Sequence, residues 1–384
     1  MKKQLSAVAL LAGTAIGSGM LSLPLVLAGY GLKLSCVLMV AFVWVAYYSS
    51  VIRAELNIYS QADFALKDVG THYSGKIASY IGSISLKLLS YSLIAAYLCG
   101  LASLLNELLA FDARYLIAAI ASGTMVLLYF SNSLIQRTNK ILFVFLVSAF
   151  VLVTVGLLVK SGVSELQVPA GQLLTLNSFA LALPIVFTSF GFQGSIHSLT
   201  KFVENDRTLI KRACLFGSII PAVVYTVWTC SVVLIVYNND AELFSRMING
   251  KVEIAELIAC LSHISKLPHL KAMFWVISLL SLLTSIIGVG IAVFDEWNRQ
   301  LNKAASSAIT VIPSALVAIF APTAFIKILG VSGMILVVLA IFLPVYLYKK
   351  MLEQNPEIIV SKRKIIGLVT LTLVGIAVFG AGML

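Results

Sequence analysis

Apolar runs long enough to cross a bilayer recur from one end of this 384-residue chain to the other. A helix needs about 20 such residues to span roughly 30 Å of hydrocarbon, where every backbone N–H and C=O must find a partner inside the protein. Helices meet that demand segment by segment. A barrel would show alternation over about ten residues instead, and the runs here are continuous. With 60% hydrophobic and 11% charged residues, the chain has too little polar surface to coat a soluble globule. The expected fold is an all-α membrane bundle forming one domain over 1–384. Its eleven spans lie near 5–30, 34–56, 77–105, 114–132, 141–160, 175–197, 213–237, 270–297, 305–321, 324–348 and 365–383. The longest connections, 238–269 and 349–364, read as loops, the first with an amphipathic helix at "VEIAELIACLSHI".

Most of the 27 Lys and Arg residues fall in alternate connections, starting with Lys2 and Lys3. The positive-inside bias then puts the amino terminus in the cytoplasm of a bacterial inner membrane and the carboxyl terminus outside. The same bias accounts for the net charge of +11, so no nucleic-acid partner is needed. The opening "MKKQLSAVALLAG" has the look of a secretory signal, but its apolar run continues through Pro24 without a small-residue cleavage site and reads as a retained first span. The five cysteines lack metal or redox spacing and read as packing residues. No HExxH, GxSxG or phosphate loop is present, and His197, His263 and His269 have no metal-ligand spacing. Neither an enzyme nor a cofactor is expected.

Two spans are interrupted. The first contains "GTAIGSGMLSLP", with three glycines and a proline, and the sixth reads "LNSFALALPIVFTSFGFQGSIHSL", with Gly191 and Gly194 flanking Phe192 and Gln193. Spans one and six are five apart and so cross in opposite directions, the sign of two inverted five-helix repeats, 1–160 and 175–348, with 365–383 as an additional eleventh helix. A broken helix in lipid strands amides and carbonyls at several kcal/mol for each unsatisfied group, so it persists only beside a cavity or ligand. Exposed amides can hold a carboxylate and exposed carbonyls an ammonium or metal cation. A free α-amino acid is therefore the expected substrate class. Close helix packing through small residues such as Gly13 and Gly17 is the structural alternative.

"GTAIGSGMLSLPLVLAGYG" together with "LPIVFTSFGFQGS" and "LLTSIIGVGIAVFDEWNR" resembles the bacterial hydroxy/aromatic amino acid permeases, nearest the tyrosine- and tryptophan-specific type, within the amino acid–polyamine–organocation superfamily. The resemblance covers nearly the whole chain. It implies a LeuT-type fold and inward symport of an aromatic amino acid with a proton. Gln193 stands where that pattern has histidine, and Lys87 where it has an apolar residue.

The candidate substrate residues are Thr14, Ala15, Gly17, Ser18 and Gly19 in the first break, and Phe187, Phe190, Gly191, Phe192, Gln193 and Gly194 in the second. Phe190 or Phe192 could stack on an aromatic ligand. In the third span Tyr80, Ser83, Lys87, Ser90, Tyr91 and Tyr97 follow helical spacing and are expected to face the bundle interior, making Tyr91 and Tyr97 pocket walls. Lys87, a charge well inside a span, is a coupling candidate by default, as are Glu55, Asp295 and His197, which with Glu296 lie at expected cytoplasmic helix ends and could form an inner gate with Arg53, Lys201 or Arg299. Ser281, Thr284 and Ser285 share a face of the eighth span. By analogy with LeuT-type transporters, they form a sodium-type site with the Gly13 and Ile16 carbonyls. Sodium coupling, a serine or threonine substrate and a non-transporting sensor of the same fold remain open as alternatives.

Overall fold

The computed structural model describes residues 2–17, 19–60, 66–130, 141–142, 145–154, 176–264 and 268–383. These residues are helical almost throughout. In chain order the helices are α1 (Lys2–Ala15), α2 (Gly19–Leu27), α3 (Gly31–Tyr59), α4 (Leu66–Ser74), α5 (Lys76–Leu109) and α6 (Ala113–Tyr129). There follow α7 (Phe145–Thr154), α8 (Leu176–Ser189), α9 (Ile196–Phe202), α10 (Arg207–Asn239), α11 (Ala241–Ile248) and α12 (Ile254–Ile264). The chain ends with α13 (Pro268–Asn298), α14 (Lys303–Phe320), α15 (Phe325–Val337), α16 (Leu343–Gln354) and α17 (Lys362–Met383).

Several starts are set by short polar side chains that take up amides left free at a helix end. Asp112 accepts from the Arg114 amide at 2.8 Å, Asp206 from those of Thr208 and Leu209 at 2.9 and 3.0 Å, and Asn302 from that of Ala305 at 2.8 Å. Asp240 does the same for α11, accepting from Leu243 N at 2.9 Å. Sequence reading placed one helix in 238–269, whereas this segment carries two, α11 and α12. It also overlooked α4, which packs on α5.

Among the described residues, seven helical stretches are long and apolar enough to cross a membrane. Elsewhere the chain is split between α1 and α2 and again between α8 and α9, and α6 is 17 residues long. The expected fifth span, 141–160, is described only in part, and the expected boundary between the repeats lies outside the described residues.

The core is built around the split segments. α1 packs on α10, and α2 packs on α8 and α10. α8 is backed by α15 and α17, while α5 holds α13, α14 and α15 together. Gly333 of α15 makes one crossing possible, because a Cβ there would overlap the Pro184 carbonyl and come within 2.7 Å of the Thr188 hydroxyl. Further along the same stretch, Val338–Phe342 widens into a π turn just before Pro344. Proline has no N–H to offer the carbonyl four residues back, and a wider turn absorbs the mismatch.

Candidate functional site

Helix α1 ends at Ala15, Ile16 and Gly17 bend, and α2 starts at Gly19; Ser18 lies outside the described residues. Opposite it, α8 ends at Ser189, Phe190–Phe192 are not helical, and one 3₁₀ turn at Gln193–Ser195 leads into α9. The carbonyls released at these two ends converge on one side chain. The Tyr225 hydroxyl of α10 donates to Ala15 O at 2.6 Å and stands 3.3 Å from Ser189 O. One turn on, Trp228 Nε1 donates to Met20 O at 2.6 Å. Both aromatic rings are buried.

The glycines bring protein against protein. A Cβ on Gly17 would come 2.9 Å from Ser285 Oγ, and one on Gly19 would come 2.6 Å from the Ser189 side chain. Phe187, Phe190 and Phe192 are fully buried; Phe190 meets Tyr225 edge to face with centroids 6.1 Å apart, and Phe187 lies 6.1 Å from Phe42. These rings therefore seal one side of the paired breaks. The opposite side is accessible. Thr14 and Gly194 are exposed, and the Thr14 and Ser195 hydroxyls lie 3.3 Å apart. Next to them a cleft of about 450 Å³ is lined by His197, Ser198, Lys201 and Phe202. His197 Nδ1 sits 3.1 Å from Gly194 O. A Cβ on Gly194 would meet nothing within 4 Å, whereas one on Gly191 would crowd Thr188 O. Gln193 is buried, with Nε2 at 3.5 Å from Ser49 Oγ.

The third-span stripe divides. Tyr80 is exposed, so that end faces away from the interior, whereas Ser90 and Tyr97 are buried. Tyr91 accepts from Trp297 Nε1 at 3.0 Å. Trp297 lies 12 residues beyond Ser285 on α13, about 18 Å along the axis, so Tyr91 stands well away from the break. Lys87 is no isolated charge, since its ammonium is 3.4 Å from Glu296 and 4.0 Å from the Trp297 ring centre. Glu55 does not meet Arg53; Tyr348 donates to it at 2.9 Å and Lys364 pairs with it. Asp295, beside Glu296 at the end of α13, is part-buried.

On α13, Thr284 donates to Leu280 O at 2.8 Å and Ser285 to Ser281 O at 2.7 Å. The Ser281 hydroxyl is buried without a partner among the described residues. Gly13 and Ile16 are part-buried, and no cluster of His, Cys, Asp or Glu fit for a metal occurs among the described residues. Sequence reading missed Tyr225 and Trp228, which no local signal sets apart in a span that also carries Ser218, Thr226, Thr229 and Ser231.

A profile of the tryptophan/tyrosine permease family matches residues 1–381. The chain belongs to this family. Among curated relatives, the permease is 28% identical over 363 residues to the tyrosine-specific transport system 1 of Haemophilus influenzae, covering 91% of this chain and 88% of that one. It is also 28% identical to glutamine transporter 2 of Aliivibrio fischeri, over 91% and 89%. Among solved structures, the permease superposes on a manganese transporter from Eremococcus coleocola with TM-score 0.62 at 16% identity, covering 98% and 86%. Against MhsT crystallised with L-phenylalanine the TM-score is 0.57 at 12% identity, over 99% and 98%. The permease is thus an all-helical integral membrane protein with LeuT-type neighbours, in a family of transporters rather than enzymes.

Proposed function

We propose that this permease imports tyrosine or tryptophan across a bacterial inner membrane by cation symport, with a proton as the coupling ion. The observation that carries this reading is the pair of facing helix breaks. Their carbonyls meet at Tyr225, and their polar edge, Thr14 with Ser195 and Gly194, is accessible. With it goes an eleven-span reading in which spans one (α1, α2) and six (α8, α9) are discontinuous. An amino terminus in the cytoplasm, supported by the distribution of Lys and Arg, turns the His197–Lys201 cleft inward. Backbone amides near Gly17 and Gly19 would hold the substrate carboxylate, and carbonyls near Phe190–Gly194 its ammonium. Phe190 and Phe192 line the sealed side.

The proton rests on family resemblance. Lys87 adds little to that choice, because it is paired with Glu296 one residue before Trp297, about 17 Å along α13 from Ser285. A sodium-coupled reading has its own support in the unpartnered Ser281 hydroxyl and the Ser285 oxygen beside Gly17, since a hydroxyl that donates to its own helix keeps lone pairs for a hard cation.

Uptake of radiolabelled tyrosine and tryptophan into proteoliposomes tests the whole reading, with pH and sodium gradients imposed separately and glutamine, serine and leucine as competitors. An inward proton gradient should drive accumulation without sodium, and the aromatic amino acids should compete best. Accumulation that follows sodium and ignores pH selects the second reading. Glutamine or serine outcompeting tyrosine replaces the substrate, and binding without accumulation under any gradient points to a sensor.

A further inference from the structure

Arg53 of α3 is 7% exposed, and its Nε has no hydrogen-bond partner. Among the described residues it joins no ion pair. The carboxylate nearest in sequence, Glu55, projects about 200° further round the helix and is taken by Lys364 and Tyr348. A guanidinium that cannot lose its charge is thus withdrawn from solvent without a counter-charge among the described residues, an arrangement that is strongly unfavourable unless something completes it. Its surroundings share the condition. Ser50 Oγ, both polar atoms of the Asn57 side chain and Gln193 Oε1 are buried without partners among the described residues. Ser50, Arg53 and Asn57 follow i, i+3, i+7 spacing on one face of α3. Gln193 adjoins the same helix through Ser49, which ties this face to the turn between α8 and α9.

We infer that this face of α3 binds a small monovalent inorganic anion of the chloride kind, held between Arg53, Ser50 and Asn57. The donor set fits that ligand. It offers a fork of guanidinium N–H groups, an amide NH₂ and a hydroxyl around one positive charge, and no carboxylate that would attract a cation. A bound anion would neutralise Arg53 and supply acceptors for the two neighbouring donors. This inference is independent of the amino acid assigned to the transport site.

The test uses the full-length purified protein, with thermal unfolding midpoints measured in sodium chloride and in sodium gluconate at equal ionic strength. Chloride should raise the midpoint saturably, by about 2–4 °C, and gluconate should not. Asn57→Asp places a carboxylate one turn from Arg53. It should abolish the chloride response while leaving the midpoint in gluconate unchanged or higher. Arg53→Gln should also lose the response, and if that variant does not fold, Asn57→Asp alone decides. Equal wild-type midpoints in the two salts would overturn the inference, as would a full chloride response in Asn57→Asp. An Arg53-dependent rise with tyrosine or tryptophan but none with chloride would overturn it too, by giving the site to a substrate carboxylate.

Discussion

Tyr225 shows how a single side chain makes an interrupted helix tolerable in an apolar setting. Its hydroxyl donates to the Ala15 carbonyl at one break and lies 3.3 Å from the Ser189 carbonyl at the other, so one group links both broken segments. Tyr225→Phe removes that donor and keeps the ring. We expect a loss of about 1–3 kcal/mol, read as a lower unfolding midpoint, and a larger fall in uptake than the stability change alone explains. Gly17 gives a second prediction. Gly17→Val should abolish uptake with folded protein still in the membrane, because its first carbon already meets Ser285 Oγ. Gly17→Ala should be impaired less, and Ser285→Ala should restore part of its uptake; no recovery in the double variant would show that the obstruction lies elsewhere. The interruptions themselves were legible in the sequence, since glycine within an apolar run signals a local departure from the helix. Tyr225 was not, because nothing local distinguishes one of 14 tyrosines as the donor to a carbonyl 210 residues away.

Between helices, Lys87 illustrates the limit of reading spans one at a time. It stands alone within α5, and its partners Glu296 and Trp297 enter only through the packing of α5 against α13. Both members of the ion pair are partly solvent-accessible, so their direct contribution is about 0.2–1 kcal/mol. Lys87→Met and Glu296→Gln should therefore each lower stability slightly. The double variant should lose less than the two single losses added together, measured as a double-mutant cycle on unfolding midpoints. Fully additive losses would mean that the two charges act independently. The long helices were legible because many apolar residues vote for each of them. α4 and α11, at 9 and 8 residues, were not; the cues for α11 were the Asp240 cap, Glu242 in its first turn and Arg246 in its last, and over eight residues such polar cues suit a turn as readily as a helix.

For the molecule as a whole, the sequence conveyed the class of fold and the two interruptions, while the side on which the site opens depends on packing. The three phenylalanines read as ligand contacts are buried among protein side chains, and the accessible edge is polar. A cysteine at Thr14 should accordingly react with a membrane-impermeant thiol reagent applied from the cytoplasmic face of inside-out vesicles, and much more slowly from the other face; the reverse preference would invert the proposed orientation. One helix extends the mechanics beyond the protein. α17 presents Ile366, Val369, Leu373 and Ile376 outward, while on its other side a Cβ at Gly375 would come 2.9 Å from Phe342, and Gly382 abuts Met334 and Pro184, five residues before the end of α8. Lipid acyl chains therefore press on a lever whose inner end rests against an interrupted helix. Any displacement of α8 during turnover must carry α17 through the surrounding hydrocarbon or slide past it. The thickness of the bilayer then becomes a parameter of the transport cycle, and uptake rates in vesicles of graded acyl length should pass through a maximum that shifts or flattens when Gly382 is enlarged.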